Sequence, residues 1–380
     1  MASVEYAKGL EGVIAAESSI CRIDGENGKL YYMGYPIREL VKTCSFEEAT
    51  YLLLYGELPN AAQFEAFKKK MRGSRGISEP IKAMIREFPK ESHPMELLQA
   101  VVSYLSGYVE HRIQHDAHCN CRNTLHQVSQ LATVVAALHR FRSGLDYVEP
   151  REDLSHGANF LYMLRGEEPT ELEGRIMDDC LTLHAEHSFN ASTFTARVVA
   201  STLSTCYCSI SAAIGALYGS LHGGANEKVM DMVDKVGDVA KAEAWVNATL
   251  DAKKKIMGMG HRVYKAKDPR AIVMEDYLQQ LGELKGETRY YDILKKIETV
   301  FRNRMEEKGK PIYPNVDFFS GAVYRLLGIP TVLFTPIFAI ARAPGWLAHI
   351  LEQRSDNRIF RPKALYVGHQ ERSITPIGER

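Results

Sequence analysis

This sequence predicts an all-α protein, and three observations carry the prediction. Apolar residues recur at helical spacing almost from end to end, the mark of amphipathic helices. Capping residues and prolines stand where those periodic runs begin. Only Lys29–Tyr35, near Gly28 and Gly34, has a strand pattern, and it is short. After it, Ser45 caps a first helix at Phe46–Leu54. Asn60-Ala-Ala-Gln63 is a capping box leading into Phe64, Phe67 and Met71. Further helices are expected at Pro94–Leu105, Asn123–Phe141, Pro169–His187, Ser192–Tyr218, Asn226–Val236 and Lys241–Met257. The series ends with Pro269–Leu284, Tyr290–Glu307, Phe318–Leu327 and Phe334–Glu352. Pro94, Pro169 and Pro269 sit where a helix begins and the missing N–H is not needed.

A chain of 380 residues can bury large cores and form more than one domain. Lys and Arg total 47, as do Asp and Glu, so the formal net charge is +0. That balance argues against a nucleic-acid binder, which displaces counterions with surplus positive charge, and against a polybasic membrane binder. Seven cysteines and no basic-then-apolar leader predict free thiols in a reducing, cytoplasmic compartment. Val198–Leu221 is uncharged and long enough to span a bilayer. Its Ser201, Thr202, Ser204, Thr205, Ser209 and Ser211, interspersed with Ala and Gly, favour a buried helix at a core or subunit interface. The glycines after His222 and the Gly328-Ile-Pro330 break enclose a segment richer in Lys and Asp. They divide the chain into a large domain at 1–223, a smaller inserted domain at 224–329 and a return segment at 330–380, with hinges at the crossings. No P-loop, dinucleotide fingerprint, G-x-S-x-G or H-E-x-x-H motif occurs.

Four polar clusters can carry chemistry. In His184-Ala-Glu-His187, three-residue spacing puts both imidazoles on one helix face; the alternative is an ordinary helix end. In Ser220-Leu-His222-Gly-Gly-Ala-Asn226, a helix N-terminus would hold His222 neutral, and Gly223 and Gly224 would admit a ligand to the backbone. The alternative is a glycine turn with a bystander histidine. In Gly258-Met-Gly-His261-Arg-Val-Tyr-Lys265, followed by Asp268-Pro-Arg270, dense cations suit an anionic ligand, or else form a solvated basic loop. In Pro314-Asn-Val-Asp317-Phe-Phe319, the aromatics would desolvate Asp317 and make it a stronger base; a helix N-cap is the alternative. Arg342 and Arg361 lie in apolar surroundings and, with Arg270, can grip a small dicarboxylate or form structural ion pairs. The set suits proton abstraction beside a carbonyl, then carbon–carbon bond formation with an anionic acceptor.

These clusters resemble the motifs of the citrate synthase family, compact bacterial type, from Gly9-Leu-Glu-Gly-Val13 to Arg358-Ile-Phe-Arg-Pro-Lys363. His184-Ala-Glu-His-Ser-Phe-Asn-Ala-Ser-Thr193, Leu221-His-Gly-Gly-Ala225, Gly260-His-Arg-Val-Tyr264 and Pro314-Asn-Val-Asp-Phe-Phe-Ser-Gly321 carry the resemblance. Leu333-Phe-Thr-Pro-Ile337 and Gly345-Trp-Leu-Ala-His349 add to it. The resemblance implies an all-α homodimer with a mobile small domain. It also implies condensation of oxaloacetate with acetyl-CoA and water to citrate and CoA, with no metal and no separate cofactor. By the same correspondence Asp317 is the base, His222 donates to the thioester oxygen and His261 polarises the ketone. His187, Arg270 and Arg342 would hold oxaloacetate, Arg361 would reach the partner subunit's site, and Lys265 would face CoA. A 2-methylcitrate synthase using propionyl-CoA is the alternative. His111–His126, with His115, His118, Cys119 and Cys121, matches no family motif and reads as a surface connection or a metal site.

Overall fold

The computed structural model describes residues 6–108 and 125–380, which are predominantly helical. The expected strand belongs to a three-stranded antiparallel sheet, β1 (Cys21–Asp24), β2 (Lys29–Tyr32) and β3 (Tyr35–Pro36), in that order. Met33 and Gly34 join β2 to β3 at φ 47° and 89°, the two left-handed residues that a tight primed turn requires. Strands of two to four residues are too short to show alternation, so only β2 carries a readable pattern.

The first helices are α1 (Ile37–Thr43), α2 (Phe46–Tyr55), α3 (Ala61–Arg72), α4 (Glu79–Glu87) and α5 (Pro94–Leu105). They are followed by α6 (Leu125–Arg142), α7 (His156–Arg165), α8 (Glu171–His184), α9 (Ala191–Ser201) and α10 (Cys206–Tyr218). The remainder are α11 (Ala225–Val236), α12 (Val239–Asp251), α13 (Pro269–Lys285), α14 (Arg289–Glu306), α15 (Asp317–Leu326) and α16 (Phe334–Ser355). Reciprocal capping boxes join Ser45 to Glu48 and Asn60 to Gln63. Pro94 and Pro269 open their helices, whereas Pro169 precedes the Thr170 cap of α8.

Several boundaries differ from the sequence pattern. The short helices α1, α4 and α7 are additional; α7 carries Gly157 and Asn159, and α4 has Pro80 in its first turn. The uncharged Val198–Leu221 stretch is not one helix. Leu203 at φ 63° breaks it and Thr205 caps α10, so α9 and α10 pack side by side. α12 stops at Asp251, with Lys253 at φ 55° just beyond. Cys21, Cys44, Cys180 and Cys208 are free, but Cys206 is disulfide-bonded, against the expectation of free thiols. Most of the His111–His126 stretch lies outside the described residues; His126 is hydrogen-bonded to the Tyr207 hydroxyl.

The core is built on α16, which packs against α2, α5, α6, α8, α9 and α10 and buries Trp346 completely. Thr331–Ser355 is long and apolar enough to cross a membrane, yet 89% of its apolar window is buried inside the fold. The helices α11–α15 pack chiefly on one another, α13 on α15 and α12 on α14, and α13 also meets α1 and α8. Between these two groups lie the segments that bear the polar clusters.

Candidate active site

The first wall is the end of α8, which stops at His184 and not at His187. Tyr32 of β2 locks the turn: its fully buried hydroxyl donates to the Glu186 carbonyl (2.9 Å) and accepts from the Glu186 N–H (3.1 Å). The same turn lies against α16 at Gly345, where a Cβ would stand 2.2 Å from the Ala185 carbonyl oxygen. Arg342, buried on α16, donates Nε to the His184 carbonyl (2.6 Å) and lies 4.8 Å over the Phe338 ring. Burial lowers its pKa, with the Glu186 carboxylate opposing.

His187 faces the second wall. Its ring centroid is 5.2 Å from that of His261, and its Nε2 is 3.2 Å from the Tyr264 hydroxyl. Burial, then Arg270, holds it well below the usual histidine range. His261 follows Gly258 and Gly260, both left-handed at φ 76° and 86°. Its Nδ1 accepts the N–H of Val263 (3.0 Å) and of Tyr264 (3.3 Å). Burial and Arg270 lower its pKa to about 4. A neutral ring that accepts at Nδ1 carries its proton on Nε2, so His261 is an Nε2–H donor.

His222, in the turn between α10 and α11, is the converse. Its Nε2 accepts the Ser192 N–H (3.2 Å) and lies 2.9 Å from Ser192 Oγ, an oxygen that accepts from the buried Trp346 indole (3.1 Å). Burial and then Arg342 lower its pKa to about 4. The neutral ring is therefore an Nδ1–H donor. Burial beside a guanidinium is enough to account for the neutrality. Gly223 is also reassigned: a Cβ there would sit 2.4 Å from the Leu217 carbonyl oxygen, so packing requires it, whereas Gly224 borders open space.

Asp317 is the first residue of α15 and does not cap it; its N–H donates to Asn315 Oδ1 (3.0 Å). Burial raises its pKa to about 6, Asp268 adding to the rise and Arg270 and Arg342 opposing. Arg270, 3% exposed at the start of α13, gives Nε and Nη2 to Asp268 at 3.0 and 2.8 Å. Burial works against its charge, and Asp268 outweighs burial. A buried carboxyl and three neutral imidazoles, His222 and His261 of opposite tautomer, thus lie within electrostatic reach of the buried guanidinium groups of Arg270 or Arg342.

A family model for the citrate synthase C-terminal domain matches residues 9–363. The chain belongs to the citrate synthase family. It is 46% identical over 376 residues to a citrate synthase of Deinococcus radiodurans, covering 98% of this chain and 99% of that one. It is also similar to a 2-methylcitrate synthase of Shewanella oneidensis, 38% identical over 98% of this chain and 97% of the other. Among solved structures, a ternary complex of carboxymethyl coenzyme A and oxaloacetate with the citrate synthase of Thermoplasma acidophilum superposes with a TM-score of 0.91. That match is 34% identical and covers 99% and 100% of the two chains.

Within this citrate synthase fold, His187, His222, His261, Arg270, Asp317 and Arg342 converge. Arg361 and Lys265 do not join them. Arg361 is exposed beside a cavity of about 1400 Å³ lined also by Val13, Ile14, Phe194 and Arg197. Lys265 is exposed and paired with Glu26 in the turn after β1, part of the solvated basic face that was the alternative for this loop. Tyr264, Ser192, Asn315 and Asp268 had no assigned role in the sequence. Each lies in or beside a motif, but one of its partners is distant in sequence: Ser192 and His222 are 30 residues apart, and Asn315 and Gly260 are 55.

Proposed function

We propose that this enzyme condenses oxaloacetate with acetyl-CoA and water to give citrate and free CoA. The observation that carries the reading is a desolvated carboxyl at Asp317 together with two neutral histidines of opposite tautomer, each of the three within reach of Arg270 or Arg342. Asp317 takes a proton from the acetyl methyl group, while His222 Nδ1–H stabilises the oxygen of the developing enol. His261 Nε2–H polarises the oxaloacetate ketone, and the enol carbon attacks it, with the proton needed by the new alkoxide available from that donor. Water then cleaves the citryl thioester, releasing CoA and leaving a carboxylate. His187, Arg270 and Arg342 hold the oxaloacetate carboxylates, a task for which guanidinium forks are well shaped. Arg361 completes the site of a partner subunit in a homodimer, and Lys265 meets the CoA phosphates once released from Glu26.

The reading needs no cofactor besides the acyl-CoA substrate and places the enzyme in the cytoplasm. Closure of the 224–329 unit over oxaloacetate would exclude water before chemistry; the mutual packing of α11–α15 supports treating it as a unit. The similarity to a 2-methylcitrate synthase makes propionyl-CoA a second acyl donor to test, since one methylene is worth about 1–3 kcal/mol in an apolar pocket. CoA-thiol release with oxaloacetate, compared between acetyl-CoA and propionyl-CoA, is the experiment. Higher kcat/KM with acetyl-CoA is expected; higher kcat/KM with propionyl-CoA would reassign the substrate.

A further inference from the structure

We propose that Asn315 is a positioning residue that sets the spacing between Asp317 and His261, an inference that rests on the roles proposed above. Its side chain spans the two segments that bear them. Oδ1 accepts the N–H of Asp317 at 3.0 Å, and Nδ2 donates to the carbonyl of Gly260, the residue before His261, at 2.8 Å. A backbone N–H can only donate and a carbonyl can only accept, so both ends of the amide are specified. No other side chain of this size offers one acceptor and one donor in that fork.

The surrounding backbone has the same pairing. The Asn315 N–H donates to the Gly258 carbonyl and the Gly260 N–H to the Tyr313 carbonyl, each at 2.9 Å, and Met259 pairs with Pro314 as an isolated bridge. Gly258 permits the contact: a Cβ there would lie 2.8 Å from the Phe318 Cα. Asp268 closes the other side, its Oδ2 accepting both Arg270 Nη2 (2.8 Å) and the Val316 N–H (3.3 Å). The proton acceptor, the ketone donor and one carboxylate clamp are therefore tied into one frame, with Asn315 its cross-strut. Bond formation between an enol carbon made at Asp317 and a ketone held by His261 depends on their separation, and a displacement near 1 Å costs on the order of 10²-fold in rate.

A plain helix-end role makes a different prediction, because Asp and Asn serve about equally as caps. Asn315→Asp keeps the acceptor for the Asp317 N–H and loses the donor to Gly260. It also adds a charge that would shift the titration of Asp317, so kcat must be read at its high-pH plateau. We expect that plateau to fall on the order of 10²-fold, with oxaloacetate affinity by calorimetry changed less than about threefold and the melting temperature within a few degrees of wild type. A wild-type plateau in Asn315→Asp overturns the inference, as does a loss that merely tracks the folded fraction. Asn315→Ala, lacking both bonds, should lose at least as much; a plateau above that of Asn315→Asp would overturn the inference too. Asp317→Asn is assayed in parallel. If it turns over like wild type, the base assignment itself is wrong and the strut falls with it. If it is inactive while Asn315→Asp keeps its plateau, only the strut is wrong.

Discussion

In the proposed reaction Asp317 can serve as a base because it is costly to ionise where it sits. Its carboxyl is raised from 3.8 to about 6, chiefly by burial, while His222 and His261 are lowered to about 4. Between pH 5 and 7 Asp317 is the one of these three that titrates appreciably, so turnover should fall as pH drops through 6, with a slope approaching about tenfold per unit below it. The same shift sets a stability cost. A carboxyl whose folded pKa lies above its unfolded one contributes stability below about 3.8 that is lost as pH rises through 6. Asp317→Asn cannot ionise, so its melting temperature relative to wild type should rise between pH 4 and pH 7. A difference independent of pH, measured by calorimetry, would mean that Asp317 is not strained in the folded state. At this scale the sequence was readable for residues with distinctive chemistry beside glycine or aromatic neighbours. Their tautomers were not, because these depend on Ser192 for His222, and on how the backbone folds back at Val263 and Tyr264 for His261.

Elements with long apolar periods or explicit caps were legible: α2, α3 and α5 start where Ser45, Asn60 and Pro94 announce them. The break between α9 and α10 was not, since Thr202, Leu203 and Ser204 offer neither proline nor glycine, yet Leu203 is left-handed. The turn after α8 is likewise a product of packing, held by Tyr32 from one side and by Gly345 of α16 from the other. Gly345→Ala should therefore act on the site as well as on stability. Its methyl group would meet the Ala185 carbonyl at 2.2 Å and Glu186 Oε2 at 2.5 Å, and the backbone must yield. Overpacking of this kind costs about 1–3 kcal/mol. Displacement of His187 should raise the KM for oxaloacetate more than that for acetyl-CoA. An equal change in both constants would show that the turn is not what positions His187.

For the whole molecule, the exposed apolar surface of the C-terminal arm fits the homodimer proposed above. Beyond Arg361, Tyr366, Val367, Ile374 and Ile377 are each at least 75% exposed, an unusual share for a segment in water. A partner that covers this arm would also receive Arg361, whose guanidinium donates to the neighbouring Pro362 carbonyl. The small-residue composition of Val198–Leu221 favoured a core or interface helix, and the break at Leu203 leaves no single helix there long enough to cross a bilayer, whereas nothing in a single chain's sequence says which subunit an arginine serves. In the proposed homodimer, Asp317 of one chain and Arg361 of the other complete a single site. Mixing Asp317→Asn and Arg361→Ala subunits under exchange, with heterodimers confirmed by mass spectrometry, tests this most directly through oxaloacetate-dependent CoA-thiol release. Each variant alone should be impaired, and at full random exchange of equal amounts about one site in four should be wild type in both residues, so activity should return toward that level. A mixture that contains heterodimers yet stays as impaired as its components would contradict the shared site.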